Sequence, residues 1–400
     1  MVPVKSVSKA ILRTARRLRE DIHKHPELGF CEERTAALVA DFLREAGLDE
    51  VQTGLAETGV VGLLKGGKRG KSVALRADMD ALPILEETGL PYASANEGVM
   101  HACGHDGHTA VLLGTARLLA GMRDRIAGNV KFIFQPAEEG APQGEEGGAR
   151  LMVKEGVLEN PKVDVIFGLH IWALMEAGTI GYRPEGAMAA SDGLRITVKG
   201  KQTHGSTPWT GVDPITVSAQ IIMGLQTIIS RQTELTENAA VITIGSIHGG
   251  VRSNIIPDQV ELIGTIRTLN TDMQDKIHEK IRLTITKIAE SAGAEADVRI
   301  RKGYPVTYND PELTTKMLPT LKEAAGAENV NLVNAITGAE DFSFYGQRVP
   351  GLFFFLGGMP KGKKPEDAAP HHSPDFYIDE SALKLGVRAM SYLVLDYMEH

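Results

Sequence analysis

The chain has 400 residues, of which 42% are hydrophobic and 24% are charged, and this balance is typical of a folded globular protein rather than a disordered one. Its formal net charge of −8 provides no general basic surface for nucleic acid or anionic lipid, so we expect small molecules or peptides as partners. We find no run of about 18 apolar residues and no signal-peptide core, so neither a membrane span nor secretion is predicted. At roughly 100 to 200 residues per domain, two domains are expected.

Apolar spacing in the first half of the chain predicts helices that alternate with short buried strands. The helices are expected over residues 8–23, 32–46 and 109–125, and the strands over residues 60–65, 72–77, 129–134 and 163–169. This alternation indicates an α/β fold with a mostly parallel sheet between helices. Functional side chains gather at the carboxyl ends of such strands. The sequence places five there: Asp78, Asp80, Glu138, Glu139 and His170.

The next stretch of the chain has a different order of elements. Strands are predicted over 194–198, 240–246, 259–268 and 297–301 and helices over 213–231 and 272–292, which is the βαββαβ order of a ferredoxin-like unit. A helix over 311–325, a strand over 352–356 and a helix over 381–397 are expected to return to the first sheet. We therefore predict a catalytic domain formed by residues 1–190 and 304–400, with an inserted domain over residues 191–303.

The most informative motif runs from His101 to His108 and holds one thiol and three imidazoles. Thiolate sulfur and imidazole nitrogen are ligands that zinc and similar divalent ions prefer, and Gly104 lets the backbone bend so that Cys103 and His105 can face one point. The motif therefore predicts a metal site. A polar loop with solvated histidines is the alternative from this segment alone, and residues elsewhere have to decide between the two.

Only two cysteines occur, Cys31 and Cys103. They provide no disulfide framework and predict a reduced, cytoplasmic protein, with a Cys31–Cys103 bridge as the alternative. Metal ligation by Cys103 would require its reduced form.

Two adjacent acids, Glu138 and Glu139, follow the apolar strand predicted over 129–134. Successive side chains at a strand end point to opposite sides, so one carboxylate can bind a metal while the other handles protons. A solvated acidic turn is the alternative. The pair directly follows an apolar strand, however, so we expect it to be buried. A buried acid needs a charge partner, which a metal would supply.

Seven segments carry chemistry-bearing residues in a fixed order along the chain: Arg76–Pro83, His101–His108, Gln135–Gly140, His170, His204–Pro208, Gly338–Phe342 and His372–Pro374. In this order they resemble the hippurate hydrolase and indole-acetyl-amino-acid hydrolase branch of the aminoacylase and carboxypeptidase superfamily of dimetal amidohydrolases. The resemblance covers both predicted domains. It implies a zinc-exopeptidase-like catalytic domain, with a mixed, mostly parallel sheet, and an inserted ferredoxin-like domain for lid movement and dimerisation.

For the centre itself, the resemblance implies two divalent metal ions per subunit, drawn from zinc, manganese, cobalt or nickel. Cys103 would bridge both ions, in the place where many relatives outside this branch use an aspartate. Glu138 matches the general base that takes a proton from the attacking water and returns it to the leaving amine, and Asp80 matches an aspartate that orients a ligand. The implied metal ligands are Cys103, His105, Glu139, His170 and His372.

The resemblance also implies a homodimer or higher homo-oligomer in which the inserted domain acts as a lid. His204 would reach the active site of the other subunit and stabilise the oxyanion there. Asn254 and Arg267 match lid positions that contact the substrate, and the guanidinium of Arg267 suits a free carboxylate. The roles of His101, His108 and Glu340 stay open.

The resemblance and the site residues it implies predict an enzyme that hydrolyses N-acyl or N-aroyl amino acids, such as hippurate. The products would be a carboxylic acid and a free amino acid. A dimetal exopeptidase, either a dipeptidase or a carboxypeptidase, shares the metal chemistry and is the first alternative. A metal-containing binding protein without catalysis is the second alternative. Retention of Glu138 and of all the implied ligands argues against it.

Overall fold

The computed structural model describes residues 7–140 and 145–399, and the chain divides into two compact units. The first unit contains Met1–Glu185, Tyr308–Asn334 and Asp341–His400, and the second contains Gly186–Thr307 and Ala335–Glu340. The second unit is longer at both ends than the predicted insertion at 191–303. It also includes the segment from 335 to 340, because the backbone N–H of Ala189 donates to the carbonyls of Ile336 and Gly338.

Helices and strands are numbered in chain order over the described residues. Up to residue 182 they are α1 (Lys9–Lys24), α2 (Glu33–Glu45), β1 (Glu50–Leu55), β2 (Gly59–Lys65), β3 (Lys68–Asp78), α3 (His105–Ala120), β4 (Ala127–Gln135), α4 (Gly148–Lys154), β5 (Val165–Glu176) and β6 (Ile180–Tyr182). From 185 to 309 they are β7 (Glu185–Met188), β8 (Ala190–Lys199), β9 (Thr203–His204), α5 (Pro214–Gln232), β10 (Ala240–Gly249), β11 (Ile255–Ile256), β12 (Gln259–Thr268), α6 (Thr271–Ser291), β13 (Glu295–Tyr304) and β14 (Thr307–Asn309). The last are α7 (Pro311–Ala325), β15 (Val330–Leu332), α8 (Ser343–Gly346), β16 (Gly351–Met359) and α9 (Ala382–Glu399).

The first unit is built around a mixed sheet in the order β1-β2-β4-β3-β5-β16-β6-β15. The central strands β4, β3, β5 and β16 run parallel to one another, whereas β2 pairs antiparallel with both β1 and β4. Every residue of β16 is buried, as is every residue of β2 except Lys65, so helices cover both faces of this part of the sheet. This arrangement confirms the predicted α/β fold with a mixed sheet.

Helix α3 is buried along most of its length, and in its middle the consecutive residues Val111, Leu112 and Leu113 are apolar and point to different sides of the helix. It begins at His105, four residues before the predicted start at 109, and it ends at Ala120 rather than at 125. The N-cap residue Gly104 has a φ of 91°, so the chain turns sharply into the helix. His105 and His108 therefore lie in the first helical turn and not in the loop that the predicted start implied.

The second unit has an antiparallel sheet in the order β10-β12-β8-β13, against which α5 and α6 pack. The chain order of these elements is the predicted βαββαβ order of a ferredoxin-like unit. Buried aliphatic side chains from the sheet and both helices form a separate core.

Two further expectations concern cysteines and membranes. Both cysteines are free, with Cys31 exposed and Cys103 buried, so the alternative of a disulfide between them is wrong. Among the described residues, no helix combines the length and apolar character needed to cross a membrane.

Candidate metal centre

The predicted metal ligands all lie in the first unit, on segments that meet beside the central sheet. His170 differs from its prediction, because it lies inside β5 and not at the end of a strand. β5 runs on to Glu176 since it keeps pairing with β16, where His170 faces Phe355. The pairing of β5 with β3 ends earlier, at Gly168, so His170 still lies just beyond that pair.

The five predicted ligands form two sets that share one thiol. Cys103, His105 and His170 each place a ligand atom within 4.8 Å of the others, and Cys103, Glu139 and His372 do the same. The Sγ atom of Cys103 lies 3.4 Å from Nε2 of His170. Nε2 of His372 lies 3.1 Å from Oε1 of Glu139. A thiol common to both sets is the arrangement expected of a bridging ligand.

Oε1 of Glu139 is buried beside Nε2 of His372, and Nε2 of His105 is buried with no hydrogen-bond partner among the described residues. Leaving such an atom unpaired costs about 1–3 kcal/mol, so native proteins rarely do it without a reason. Together with the Cys103 sulfur, these atoms form a nitrogen, oxygen and sulfur donor set that zinc and similar divalent ions accept. The residues therefore fit a divalent metal.

In His105 and His170, the hydrogen bond made by Nδ1 determines which ring nitrogen faces the ligand sets. Nδ1 of His105 donates to the backbone carbonyl of Asp80 at 2.9 Å, and Nδ1 of His170 donates to the carbonyl of Ile171 at 2.8 Å. A carbonyl only accepts, so Nε2 is left for a metal in both rings. The carboxylate of Asp80 lies 3.2 Å from Nδ1 of His105 and accepts the backbone N–H of Glu139 at 2.9 Å. Asp80 thus contacts one residue of each ligand set.

The two remaining histidines of the motif are held differently. His108 uses both nitrogens, because Nδ1 donates to Asp78 at 2.6 Å and Nε2 accepts the backbone N–H of Ile171 at 2.8 Å. Asp78, His105 and His108 lie close enough together to form a third group of possible ligands. Both nitrogens of His108 are already hydrogen-bonded, however, so neither is available to a metal. His101 is buried, neither of its nitrogens has a partner among the described residues, and burial lowers its pKa to about 3. It belongs to neither ligand set.

Electrostatics determine where protons lie in the metal-free cluster. Burial, followed by the charges of Glu139 and Glu138, raises the pKa of the Cys103 thiol well above its usual value. Burial alone would lower the pKa of His105, but neighbouring carboxylates, with Asp78 first among them, outweigh it and raise that pKa to about 10. Both groups therefore keep a proton at neutral pH, and a bound cation has to displace it.

Glu138 and Glu139 both approach the same imidazole, which corrects the prediction that they point to opposite sides. Oε2 of Glu138 lies 3.9 Å from Nε2 of His105, and Oε1 of Glu139 lies 3.8 Å from the same atom. The alternation of a strand does not apply here, because β4 ends at Gln135 and Ala137 has a φ of 48°.

The two carboxylates differ in what else holds them. Oε1 of Glu138 accepts the backbone N–H of Asp341 at 3.4 Å, so Oε2 is the oxygen nearer to the ligand sets. Burial would raise the pKa of Glu139, but His372 and His105 outweigh it and keep that pKa below its usual value. Glu139 is therefore an anion in position to bind a cation.

Two residues beside the centre were missing from the predicted site, Asp78 and His371. Asp78 accepts the hydrogen bond from His108. Nδ1 of His371 lies 3.9 Å from the Cys103 sulfur, and its Nε2 accepts a backbone N–H. Asp78 was predicted at the carboxyl end of a strand but was given no role, and the sequence signal for His371 was its position next to His372.

The predicted lid residues lie in the second unit. His204 is exposed, pairs with Ile255 between β9 and β11, and accepts the backbone N–H of Ser206 at Nδ1. The carbonyl of Asn254 accepts the N–H of the residue after His204, so these two residues are neighbours. Arg267 is half-buried on β12. Their roles stay predictions.

Comparison with known proteins places the chain in a family. Residues 74–396 match the sequence pattern of peptidase family M20/M25/M40, which is well over half of the chain. The chain belongs to this family. Its M20/M25/M40 region covers all five predicted metal ligands, and it also covers Glu138 and His204.

Relatives of this M20/M25/M40 chain include several named hydrolases. Thermostable carboxypeptidase 1 of Saccharolobus solfataricus is 42% identical over 382 residues, covering 95% of this chain and 94% of the relative. N-acetylcysteine deacetylase of Bacillus subtilis is 38% identical and covers 96% of each chain. A solved Bacillus subtilis structure, described as a dinuclear metal binding peptidase of the M20 family, has 36% identity and a TM-score of 0.84, covering 98% of this chain and 99% of the other. The chain is a metal-dependent hydrolase.

Proposed function

We propose that this hydrolase cleaves the amide bond of N-acyl or N-aroyl amino acids, of which hippurate is an example, to a carboxylic acid and a free amino acid. The observation that carries the proposal is the carboxylate of Glu138 beside two ligand sets that share Cys103. An amide carbonyl is a poor electrophile and water a poor nucleophile at neutral pH, so the reaction needs both to be activated. The relative named as a deacetylase of N-acetylcysteine supports this substrate class.

We assign one ion to Cys103, His105 and His170 and the other to Cys103, Glu139 and His372, on the basis of the two ligand sets. Two bound divalent cations would supply positive charge that polarises an amide carbonyl and lowers the pKa of water. Zinc, manganese, cobalt and nickel all suit these donors. We also propose a cytoplasmic location, because the shared thiol has to stay reduced to serve as a ligand.

Glu138 is the general base in this proposal. Its Oε2 atom accepts a proton from the attacking water while the water oxygen forms a bond to the carbonyl carbon. The same atom then gives the proton to the amide nitrogen as the C–N bond breaks, so that the amine leaves neutral. Oε2 is the oxygen of this carboxylate that lies 3.9 Å from Nε2 of His105, beside the ligand sets.

We further propose that the second unit completes the site in a homodimer or higher homo-oligomer. His204 of one subunit would stabilise the oxyanion at the site of the other by donating from Nε2, because its Nδ1 already accepts a backbone N–H. Asn254 would contact the substrate beside it. Arg267 would bind the free carboxylate of the substrate through its planar guanidinium.

A second candidate is exopeptidase action, which the 42% identity to a named carboxypeptidase favours. A peptide substrate needs the same metal chemistry and the same general base. It differs by a free ammonium group on the acyl side of the cleaved bond. The two candidates therefore differ in the acyl pocket and not in the residues of the centre.

Comparing kcat/KM for hippurate, N-acetyl amino acids and the dipeptide Gly-Phe tests the proposal. The protein is loaded in turn with zinc, manganese, cobalt or nickel, and metal content is measured on the same samples. We expect the N-acyl substrates to be cleaved faster than the dipeptide. Faster cleavage of Gly-Phe would establish the exopeptidase instead, and full metal content without turnover of any substrate would indicate a binding protein.

A further inference from the structure

A buried polar cluster lies behind Glu138 and consists of Arg76, Gln135 and Asp341, none of which is more than 1% exposed. The Arg76 guanidinium donates to Oδ1 of Asp341 at 2.7 Å and to Oε1 of Gln135 at 2.8 Å. Nε2 of Gln135 donates to both carboxylate oxygens of Asp341, each at 2.8 Å. Each side chain of this cluster is therefore bonded to the other two.

The cluster joins two segments that are distant in sequence. Gln135 is the last residue of β4 and lies three residues before Glu138. Asp341 lies on the segment that leads into α8, and its backbone N–H donates to Oε1 of Glu138 at 3.4 Å. The backbone N–H of Ala149 in α4 also donates to the Asp341 carboxylate, at 3.1 Å. The side chains thus tie Asp341, whose N–H holds the Glu138 carboxylate, to Gln135 at the end of the strand that precedes Glu138.

This hydrogen bond gives the two oxygens of Glu138 different surroundings. Oε1 is held by the N–H, and Oε2 lies 3.9 Å from Nε2 of His105. Proton transfer requires an acceptor placed at about 3 Å, and a displacement of about 1 Å can reduce a rate about 100-fold. The position of Oε2 therefore depends on where Asp341 holds Oε1.

Arg76 supplies the positive charge of the cluster. The positive charge of Arg76 lies between the carboxylates of Asp341 and Asp78, with both ion pairs at 2.7 Å and fully buried. A buried carboxylate without such a partner would draw in water or take up a proton. The ion pair with Arg76 fixes the Asp341 carboxylate in place.

We propose that Gln135 and Asp341 are positioning residues that orient the Glu138 carboxylate for proton transfer, and that Arg76 holds both of them. The inference rests on the proposed function, because it assigns a task to the base of that reaction. If the cluster only stabilised the fold, its loss would lower stability without a specific effect on turnover. The two possibilities are therefore separable by experiment.

The test variant is Gln135→Met, which keeps the side-chain volume and removes the amide that ties the two segments. Asp341→Ala is the obvious change, but it would leave Arg76 with one carboxylate fewer in the interior and could unfold the protein. Gln274→Met is the matched control. Gln274 is also buried, and its Nε2 donates to the buried carboxylate of Asp192 at 2.7 Å, but it lies in the second unit.

We expect Gln135→Met to lower kcat about tenfold, while KM and metal content change by less than about twofold. Gln274→Met should lower thermal stability to a similar degree and leave kcat unchanged. Repeating Gln135→Met in a Glu138→Asp background completes a double-mutant cycle. We expect the shorter aspartate not to reach the N–H of Asp341, so there Gln135→Met should reduce kcat by less than about twofold.

Two results would overturn the inference: an unchanged kcat in Gln135→Met, or the same tenfold loss in the Glu138→Asp background. Full turnover by Glu138→Gln would instead overturn the proposed base and with it the proposed mechanism. A readout without substrate is the crystal structure of metal-loaded Gln135→Met. We expect the Glu138 carboxylate to move away from the Asp341 N–H, and an unmoved carboxylate would contradict the inference even if no substrate were known.

Discussion

At the scale of single residues, the candidate centre depends on which ring nitrogen each histidine keeps free. In His105 and His170, Nδ1 donates to a backbone carbonyl and Nε2 stays available. Both nitrogens of His108 are hydrogen-bonded, one to Asp78 and one to the backbone of Ile171. His108 can bind a metal only if one of these buried hydrogen bonds breaks. The surrounding backbone, rather than the residue type, therefore separates a ligand from a structural histidine in the same motif.

Metal binding should release protons from Cys103 and His105. The pKa of the Cys103 thiol is raised well above its usual value and that of His105 is raised to about 10, so both are protonated at neutral pH without metal. A cation has to displace these protons, and its apparent affinity should rise with pH. Calorimetric titration of metal-free protein in two buffers of different ionisation enthalpy measures the release.

The exposed thiol provides the control, since Cys31→Ser should release as many protons as the unaltered protein. The same observed enthalpy in both buffers would contradict the protonation states given to Cys103 and His105.

Replacing Glu138 by glutamine should separate chemistry from metal binding. The amide keeps the shape of the side chain but cannot accept a proton, so we expect kcat to fall by about 10²- to 10⁴-fold. Metal content and thermal stability should stay near those of the unaltered protein. Glu145→Gln, at an exposed acid nearby, should change none of these quantities. A fully active Glu138→Gln enzyme would remove this residue from the reaction.

At the scale of elements, the start of α3 determines the spacing of the centre. Gly104 has a φ of 91°, which L side chains avoid, and an added Cβ would meet no atom nearer than 3.7 Å. Gly104→Ala should therefore lower the free energy of unfolding through backbone strain, by about 1–2 kcal/mol. It should also weaken metal binding, because Cys103 and His105 flank this position. Denaturant unfolding and metal titration measure the two effects.

The other end of the same helix supplies the control. Gly121 has a φ of −67°, so alanine is compatible with its backbone. Gly121→Ala should leave metal binding unchanged and should not lower the free energy of unfolding, and equal effects from the two substitutions would contradict the role given to Gly104.

Elements with regular apolar spacing could be predicted from the sequence. β12 and α7 have their predicted bounds, at Gln259–Thr268 and Pro311–Ala325. β1 could not be predicted, because it is an edge strand in which only Leu55 is buried and no alternation appears. The first turn of α3 was missed because it depends on a left-handed glycine and not on periodicity.

The candidate site was predictable where its residues lie in short motifs, as Cys103 and His105 do. The cluster behind Glu138 was not, because Arg76 and Asp341 are 265 positions apart and no local pattern relates them. The relation between Glu138 and Glu139 was predicted wrongly for a similar reason. Strand alternation was assumed for a segment whose backbone is set by contacts from elsewhere in the chain.

At the scale of the whole molecule, the buried carboxyl group of Glu32 links stability to pH. Glu32 is fully buried, and its carboxylate accepts the N–H of Ala137 and the hydroxyl of Thr58. Burial, followed by the charge of Asp80, raises its pKa to about 7 from an ordinary 4.5. The folded state therefore holds this proton more tightly than the unfolded state. The contribution of the Glu32 proton to the free energy of unfolding is complete below pH 4.5. It is lost as the pH rises through about 7.

Glu32→Gln should remove this dependence. In the metal-free state, the unaltered chain should lose up to ~3 kcal/mol of its free energy of unfolding through Glu32 between about pH 4.5 and 8. Glu32→Gln should not lose this amount, so its stability relative to the unaltered chain rises over the same range. Denaturant titrations across this range measure it. The exposed neighbour provides the control, because Glu33→Gln should keep the original pH dependence. Parallel curves for Glu32→Gln and the unaltered chain would contradict the raised pKa.

The proposed centre of the molecule holds two metal ions that share the Cys103 thiol. Anomalous X-ray scattering from crystals of zinc-loaded protein tests this most directly. We expect two peaks per chain, both about 2.3 Å from the Cys103 sulfur. One peak should also lie beside His105 and His170, and the other beside Glu139 and His372. A single peak, or two peaks of which one lies away from this sulfur, would contradict the bridged two-metal centre.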